Sequence, residues 1–290
     1  MQKIDVLFED NDLVVINKPA GMVVNRAASA PGVTVQDWME DKYHFQQLAD
    51  SGELQHDKSW WSLLPESFDP SYGEPEQVFM SRTGMVHRLD KDTSGVLILG
   101  KNPGSMLQLM SQFQERTVQK SYQCLVHGKF VQDQDVVNLP IARSEHNRQR
   151  FTVVAGGRVA STEFKVLERY DFNQDKLLAD VEASAGEKKV REWQQKLRVY
   201  EGFSLVECLP KTGRTHQIRV HMSYLQHPLV GDRLYVGKKR IKVDELWCPR
   251  QFLHAHTLEL KHPRTNEILK FTANLPEDLT DALDYLNTIA

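Results

Sequence analysis

The sequence predicts a mixed α+β fold with mostly antiparallel strands, and three observations carry that prediction. Apolar runs of strand length recur along the whole chain, at residues 6–8, 13–16, 96–99, 162–170, 203–209, 252–260 and 268–271. Segments with helical spacing are few and do not alternate strictly with those runs, as a parallel βαβ array would require. The first two runs flank a short polar turn, Glu9-Asp10-Asn11-Asp12, as two antiparallel strands do.

Taken in order, the elements follow from local chemistry. Lys18-Pro19-Ala20-Gly21 breaks the chain after the second strand. Thr34 is placed to cap a helix running to about Leu48. Residues 51–77 are polar, acidic and rich in Pro and Ser, and carry Trp60 and Trp61 without periodicity. They read as an insertion, spanning about 31–80. Residues 96–99 are wholly apolar, as in a buried strand. Asn102-Pro103 then supplies a cap and a first-turn proline, and Met106, Leu109, Met110 and Phe113 follow at i, i+3, i+4, i+7. That methionine-rich stripe reads as core. Tyr122, Cys124 and Val126 alternate with polar residues, which predicts a strand. Residues 171–200 are charged and helix-prone, a second insertion. Ile218, Met222 and Leu225 sit at helical spacing, and Pro276 with Leu279, Ala282, Leu283 and Leu286 predicts a closing helix. The whole, residues 1–290, is expected to be one domain carrying the two insertions.

Composition narrows the class. The chain is 40% apolar and 26% charged, ordinary for a water-soluble protein. No apolar run approaches the roughly 20 residues that cross a bilayer, and no signal-peptide pattern follows Met1. A cytoplasmic protein without a membrane partner is expected. Cys124, Cys208 and Cys248 are odd in number and lack C-x-x-C spacing, so neither a disulfide framework nor a zinc ribbon is supported. The net charge is −3, but residues 37–76 hold ten carboxylates against two lysines, which leaves the remainder at +5. Basic residues cluster at Arg143, Arg148 and Arg150, at Lys211, Arg214 and Arg219, and at Lys238, Lys239, Arg240 and Lys242. Three clusters on a basic remainder point to a polyanion partner.

Two segments concentrate chemistry. The first is His87-Arg88-Leu89-Asp90-Lys91-Asp92-Thr93-Ser94-Gly95. Its plain reading is an ion-paired turn before a buried strand. On an extended segment, however, Asp90 and Asp92 would share a face at roughly 6.5–7 Å, near the spacing of an inverting glycosidase pair. Arg88 and Lys91 oppose the raised pKa that the acid partner of such a pair requires. The second segment is Lys211-Thr212-Gly213-Arg214-Thr215-His216-Gln217-Ile218-Arg219-Val220-His221. A glycine turn opens a helix there, and Arg214 with the first amides suits an anion. His216 and His221 are five apart, whereas zinc helices use a spacing of four. His254, His256 and His262 read as satisfied strand histidines rather than metal ligands. A nucleophile elbow, a P-loop and a G-x-G-x-x-G run are all absent from the sequence.

The run His87-Arg88-Leu89-Asp90 with Thr93-Ser94-Gly95 resembles the signature of the RluA-type pseudouridine synthases. Five further motifs follow that family's order. They are Asn17-Lys18-Pro19-Ala20-Gly21, Lys120-Ser121-Tyr122, Gly213 to His221, His227-Pro228-Leu229-Val230-Gly231-Asp232, and Leu253-His254-Ala255 with His262-Pro263. The two insertions depart from the pattern. So does the expected lack of the small N-terminal RNA-binding domain that many relatives carry.

The resemblance implies a bent, mainly antiparallel sheet with flanking helices and a cleft for an extruded uridine. It implies that Asp90 is the essential aspartate, that Arg219 pairs with it, and that Tyr122 stacks on the base and is a candidate to take the proton from carbon 5. Arg88 matches an arginine that fills the gap left by the extruded base. His87, Lys120, Arg214 and His216 fall in motifs that meet RNA. No metal and no cofactor are implied, and the expected partner is ribosomal or transfer RNA bound by a monomer. Two rival readings stay open here: a carboxylate-dependent glycosidase or nucleosidase, and an RNA-binding module without catalysis. The latter accounts for the basic clusters but not for Asp90 among arginines.

Overall fold

Strand pairing in the computed structural model follows the apolar runs, and the registered pairs are antiparallel. The structure describes residues 3–26, 32–69, 71, 73–185, 194 and 200–289. By its packing the chain divides into two compact units. One comprises Met1–Lys120 and Ala255–Asn274, the other Ser121–His254 and Leu275–Ala290.

In the first unit, β1 (Asp5–Glu9) pairs with β2 (Leu13–Lys18), which pairs with β3 (Ser94–Gly100). Every residue of β3 is buried, as its uniform apolarity predicts. Gly95 is required there. Its φ is +116°, and a Cβ would lie 2.2 Å from the carbonyl oxygen of Ala255. Thr34 caps α1 (Val35–Tyr43) with a full capping box shared with Asp37. The helix expected to reach Leu48 stops at His44, in the left-handed region, and restarts as α2 (Phe45–Asp50). Two short helices follow, α3 (Glu53–His56) and α4 (Pro75–Arg82), then α5 (Pro103–Glu115), capped by the Asn102 side chain.

A buried carboxylate knots this unit. Asp12 accepts two bonds from Arg264 (2.6 and 2.7 Å), one from Asn102 (3.0 Å) and one from the Ser105 hydroxyl (3.1 Å). The β1–β2 turn, the start of α5 and the chain after β10 (Leu253–Lys261) are thereby held together. Burial alone would raise the Asp12 pKa, yet these donors hold it below the usual carboxylate range. The segment without periodicity is packed into the same unit. Trp60 is fully buried, whereas Trp61, stacked on it at 5.6 Å, is 44% exposed. Gly104 on α5 admits the Trp60 carbonyl, which a Cβ would meet at 2.2 Å.

In the second unit, β4 (Gln119–His127, entering from Ser121) pairs with β9 (Phe203–Pro210). β9 pairs with β8 (Thr162–Tyr170), and β8 with β5 (Gln134–Val137). β6 (Ile141–Arg143) and β7 (Phe151–Val153) form a separate hairpin. Helices α6 (Gln174–Ala185), α7 (Gln217–Tyr224), α8 (Lys238–Asp244) and α9 (Glu277–Ile289) complete the unit. Most of the second expected insertion after α6 lies outside the described residues. Leu279, Ala282 and Leu286 of α9 pack with Phe203, Trp247 and Phe252, which is the closing helix that the sequence predicts.

Trp60 therefore anchors the acidic segment. Trp60→Ala should lower the unfolding free energy by about 3–5 kcal/mol, as for a deleted core aromatic. Trp60→Phe should cost clearly less, because the indole N–H has no hydrogen-bond partner among the described residues. Trp61→Ala should be near neutral. Urea unfolding checks all three, and equal losses at both tryptophans would contradict the anchor.

Candidate active site

The first unit carries the Asp90 loop, which is fastened by a buried lysine. Lys18, the last residue of β2, stands opposite Gly95 in the β2–β3 register. Its ammonium donates to the carbonyls of Pro19 (2.8 Å), Met22 (2.8 Å) and Lys91 (3.1 Å). An ammonium has three donors and no acceptor, so carbonyl oxygens suit it in the interior. The lysine of the first motif, read from sequence only as part of a chain break, thus grips the residue after Asp90. The Thr93 amide closes a turn on the Asp90 carbonyl at 3.1 Å. That turn corrects the paired-carboxylate geometry: Asp90 and Asp92 are not spaced along an extended segment. Asp90 is half-buried and Asp92 exposed.

Behind Asp90 in sequence, His87 is occupied by the fold itself. Its Nε2 accepts the Ile98 amide at 3.2 Å, and its ring stacks on Phe113 of α5 at 4.5 Å. Burial, reinforced by the Lys120 charge, pushes the His87 pKa down to about 3. The ring is therefore neutral and able to accept at physiological pH. Lys120, whose own pKa burial lowers, lies 5.8 Å from the Phe113 ring. Arg88 is exposed and forms no ion pair among the described residues.

The second unit carries Tyr122, half-buried on β4 opposite Cys208 of β9, and the arginine motif. Gln217 organises that motif. Its Oε1 accepts from the Thr212 hydroxyl (2.6 Å) and the Arg214 amide (3.0 Å), while its Nε2 donates to the Ser161 carbonyl and the Thr162 hydroxyl, both at 2.9 Å. All four hydrogen-bonding positions of the amide are used. Arg214 donates through Nε to the Val159 carbonyl at 3.0 Å. His216 precedes α7 at φ 57°, and its Nδ1 is 3.0 Å from the Tyr235 hydroxyl. His221 faces elsewhere, between the Thr162 hydroxyl and the Leu139 carbonyl.

Arg219 is buried, and its Nε and Nη2 form a bidentate pair with Asp232 at 2.7 and 2.9 Å. The guanidinium also lies over the Tyr235 ring, 5.1 Å from its centroid. Asp232 is fully buried and accepts the Leu234 amide as well, at 3.0 Å. The motif that ends in Gly231-Asp232 contains this aspartate, but no local spacing marks Arg219 as its partner. Among the histidines read as satisfied, His256 bonds the Ala273 carbonyl at 2.9 Å and His262 bonds Asp10 at 2.7 Å. Among the described residues no group of three His, Cys, Asp or Glu side chains could hold a metal ion. No helix among them is long and apolar enough to cross a membrane.

Comparison with known proteins agrees with these features. The sequence profile of the RNA pseudouridylate synthases matches residues 12–224. The uncharacterized RNA pseudouridine synthase YlyB of Bacillus subtilis is 34% identical, over 98% of this chain and 73% of its own length. Ribosomal large subunit pseudouridine synthase D of Pseudomonas aeruginosa is 32% identical, over 98% and 72%. The solved structure of human RNA pseudouridylate synthase domain containing 1 superposes with a TM-score of 0.61 at 19% identity, covering 99% of this chain and 95% of that one. The chain belongs to the RNA pseudouridylate synthase family, and its enzyme class is isomerase.

The Lys18 clamp yields a prediction. Lys18→Met leaves three carbonyls without their donor, which should cost about 1–3 kcal/mol per orphaned buried group at most. The loosened Asp90 turn should slow isomerisation on the order of 100-fold. Urea unfolding and single-turnover rates measure the two effects. A folded Lys18→Met protein working at the wild-type rate would contradict the clamp.

Proposed function

We propose that this chain converts uridines of structured RNA, in the first place large-subunit ribosomal RNA, to pseudouridine with Asp90 as the catalytic carboxylate. The observation that carries the reading is the turn, gripped by Lys18, on which Asp90 sits. Asp90 sits half-buried on a turn gripped by Lys18, while Asp92 is exposed. A glycosidase needs a second carboxylate to deliver water or a proton, whereas an isomerase returns the same base to the same sugar. The name of the Pseudomonas relative supports ribosomal over transfer RNA. The basic residues of α8 and of the β6–β7 hairpin support a phosphate-rich partner, and the reaction is assigned to the cytoplasm.

In this reading Asp90 attacks or deprotonates the nucleoside as the bond between N1 and the anomeric carbon breaks. The uracil rotates and carbon 5 bonds the anomeric carbon. The proton leaves carbon 5 with Tyr122 as its acceptor, and one proton is gained at N1. Nothing is oxidised or added, so the balance needs no cofactor. By the resemblance Arg219 is the counter-ion of Asp90, and Asp232 holds its guanidinium. Arg88 enters the gap left by the extruded base, offsetting part of the few kcal/mol that extrusion costs. Lys120, Arg214 and His216 line the RNA path, and His87 acts from within by fixing the loop. The acidic segment around residues 37–76 repels phosphates from one side and so narrows the set of accepted uridines.

Asp90→Asn should release no tritium from RNA labelled at uridine C5, with the RNA Kd within about threefold of wild type, less than 1 kcal/mol. Asp92→Asn should release it at close to the wild-type rate. Release by the Asp90 variant, or equal loss in both, would overturn the assignment.

A further inference from the structure

The β6–β7 hairpin carries Arg143, Arg148 and Arg150, and its base is joined to the arginine motif through one phenol. Tyr235 is buried. Its hydroxyl accepts the amide of Phe151, the first residue of β7, at 2.9 Å. A phenol has one proton and two lone pairs, so the other partner, His216 Nδ1 at 3.0 Å, accepts or donates according to its tautomer. Burial raises the phenol pKa, so that proton is present at neutral pH.

The same residue touches the catalytic arginine by other atoms. The guanidinium of Arg219 lies 5.1 Å from the Tyr235 ring centroid, and so does that of Arg150. The Tyr235 amide reaches Asp232 Oδ1 at 3.3 Å. Phe151 meets the His216 ring edge-on at 5.6 Å, and the Arg143 guanidinium lies 5.0 Å from the Phe151 ring. Arg143 also donates to the Arg148 carbonyl, which stiffens the tip. A shift of the hairpin therefore pulls on the hydroxyl, while a shift of the ring moves the surface on which Arg219 rests.

We propose that Tyr235 is a positioning residue that couples seating of the basic hairpin on RNA phosphates to the placement of Arg219. The inference rests on the reading of Arg219 as the counter-ion of Asp90. The ring alone would serve packing. The hydroxyl, bonded to the hairpin backbone on one side and to His216 on the other, is the part that transmits.

The test separates binding from turnover with single-turnover kinetics on C5-tritiated RNA. Tyr235→Phe keeps the ring under both guanidinium groups and removes the hydroxyl. It should lower the limiting rate at saturating RNA by about tenfold or more while Kd stays within about twofold, the signature of an interaction needed only in the transition state. The double variant Arg143→Gln/Arg148→Gln should lower both affinity and limiting rate in the wild type, but only affinity in the Tyr235→Phe background. A wild-type limiting rate for Tyr235→Phe, or additive effects in the four-way comparison, would overturn the coupling. Arg219→Lys distinguishes the two readings. A folded Arg219→Lys protein at full rate removes the basis in Arg219, whereas an impaired one beside a normal Tyr235→Phe removes only the coupling. If Tyr235→Phe does not fold, deuterium exchange at the Phe151 amide of the wild type decides. It should slow on RNA binding, and an unchanged rate overturns the proposal.

Discussion

A guanidinium buried on the first turn of a helix must find a carboxylate, and the pairing of Arg219 with Asp232 is the constraint around which the second unit's site is arranged. Losing one partner would leave the other charged and buried, at about 3–5 kcal/mol. The remaining capacity of Asp232 is taken by the amides of Leu234 and Tyr235, so the chain after Gly231 has one course. Gln217 fixes the turn before the same helix by spending all four of its hydrogen bonds. Two satisfied polar networks thus hold one arginine in a single rotamer, the preorganisation that stabilising developing charge requires.

The first unit holds its loop with a buried cation whose ammonium meets three backbone carbonyls. Lys18 binds the carbonyls of Pro19, Met22 and Lys91 and so stiffens the backbone of the Asp90 loop. His87 contributes from the neutral side, since its depressed pKa keeps the Nε2 lone pair available to the Ile98 amide. Protonation of His87 is disfavoured in the fold and not in the unfolded chain. Its contribution is complete above pH 6.5 and is lost as pH falls toward about 3.

Much of this was legible in the sequence where local chemistry and packing agree. The apolar run of β3, the Asn102 cap of α5 and the Thr34 cap of α1 were read correctly because each rests on neighbours within a few residues. Strands β5, β6 and β7 were not seen, since they are three or four residues long, largely exposed, and paired over distance. Helix α8 was hidden because its four basic residues mask Val243, which is its apolar anchor. Trp60 lies in a segment without periodicity yet is fully buried, because what it packs on, α5, lies some forty residues further along the chain. At the candidate site, motif order singled out Asp90 and Arg219, whereas the contacts of Lys18 and Asp232 that hold their segments are not encoded by any spacing.

The central claim is that one fastened aspartate isomerises uridine in RNA. Mapping pseudouridines across total RNA tests it most directly, from cells lacking this gene and from the same cells resupplied with it. The account predicts that one or a few pseudouridines vanish from large-subunit ribosomal RNA and return only when position 90 is aspartate. An unchanged map, or restoration by a chain with asparagine at position 90, would contradict it.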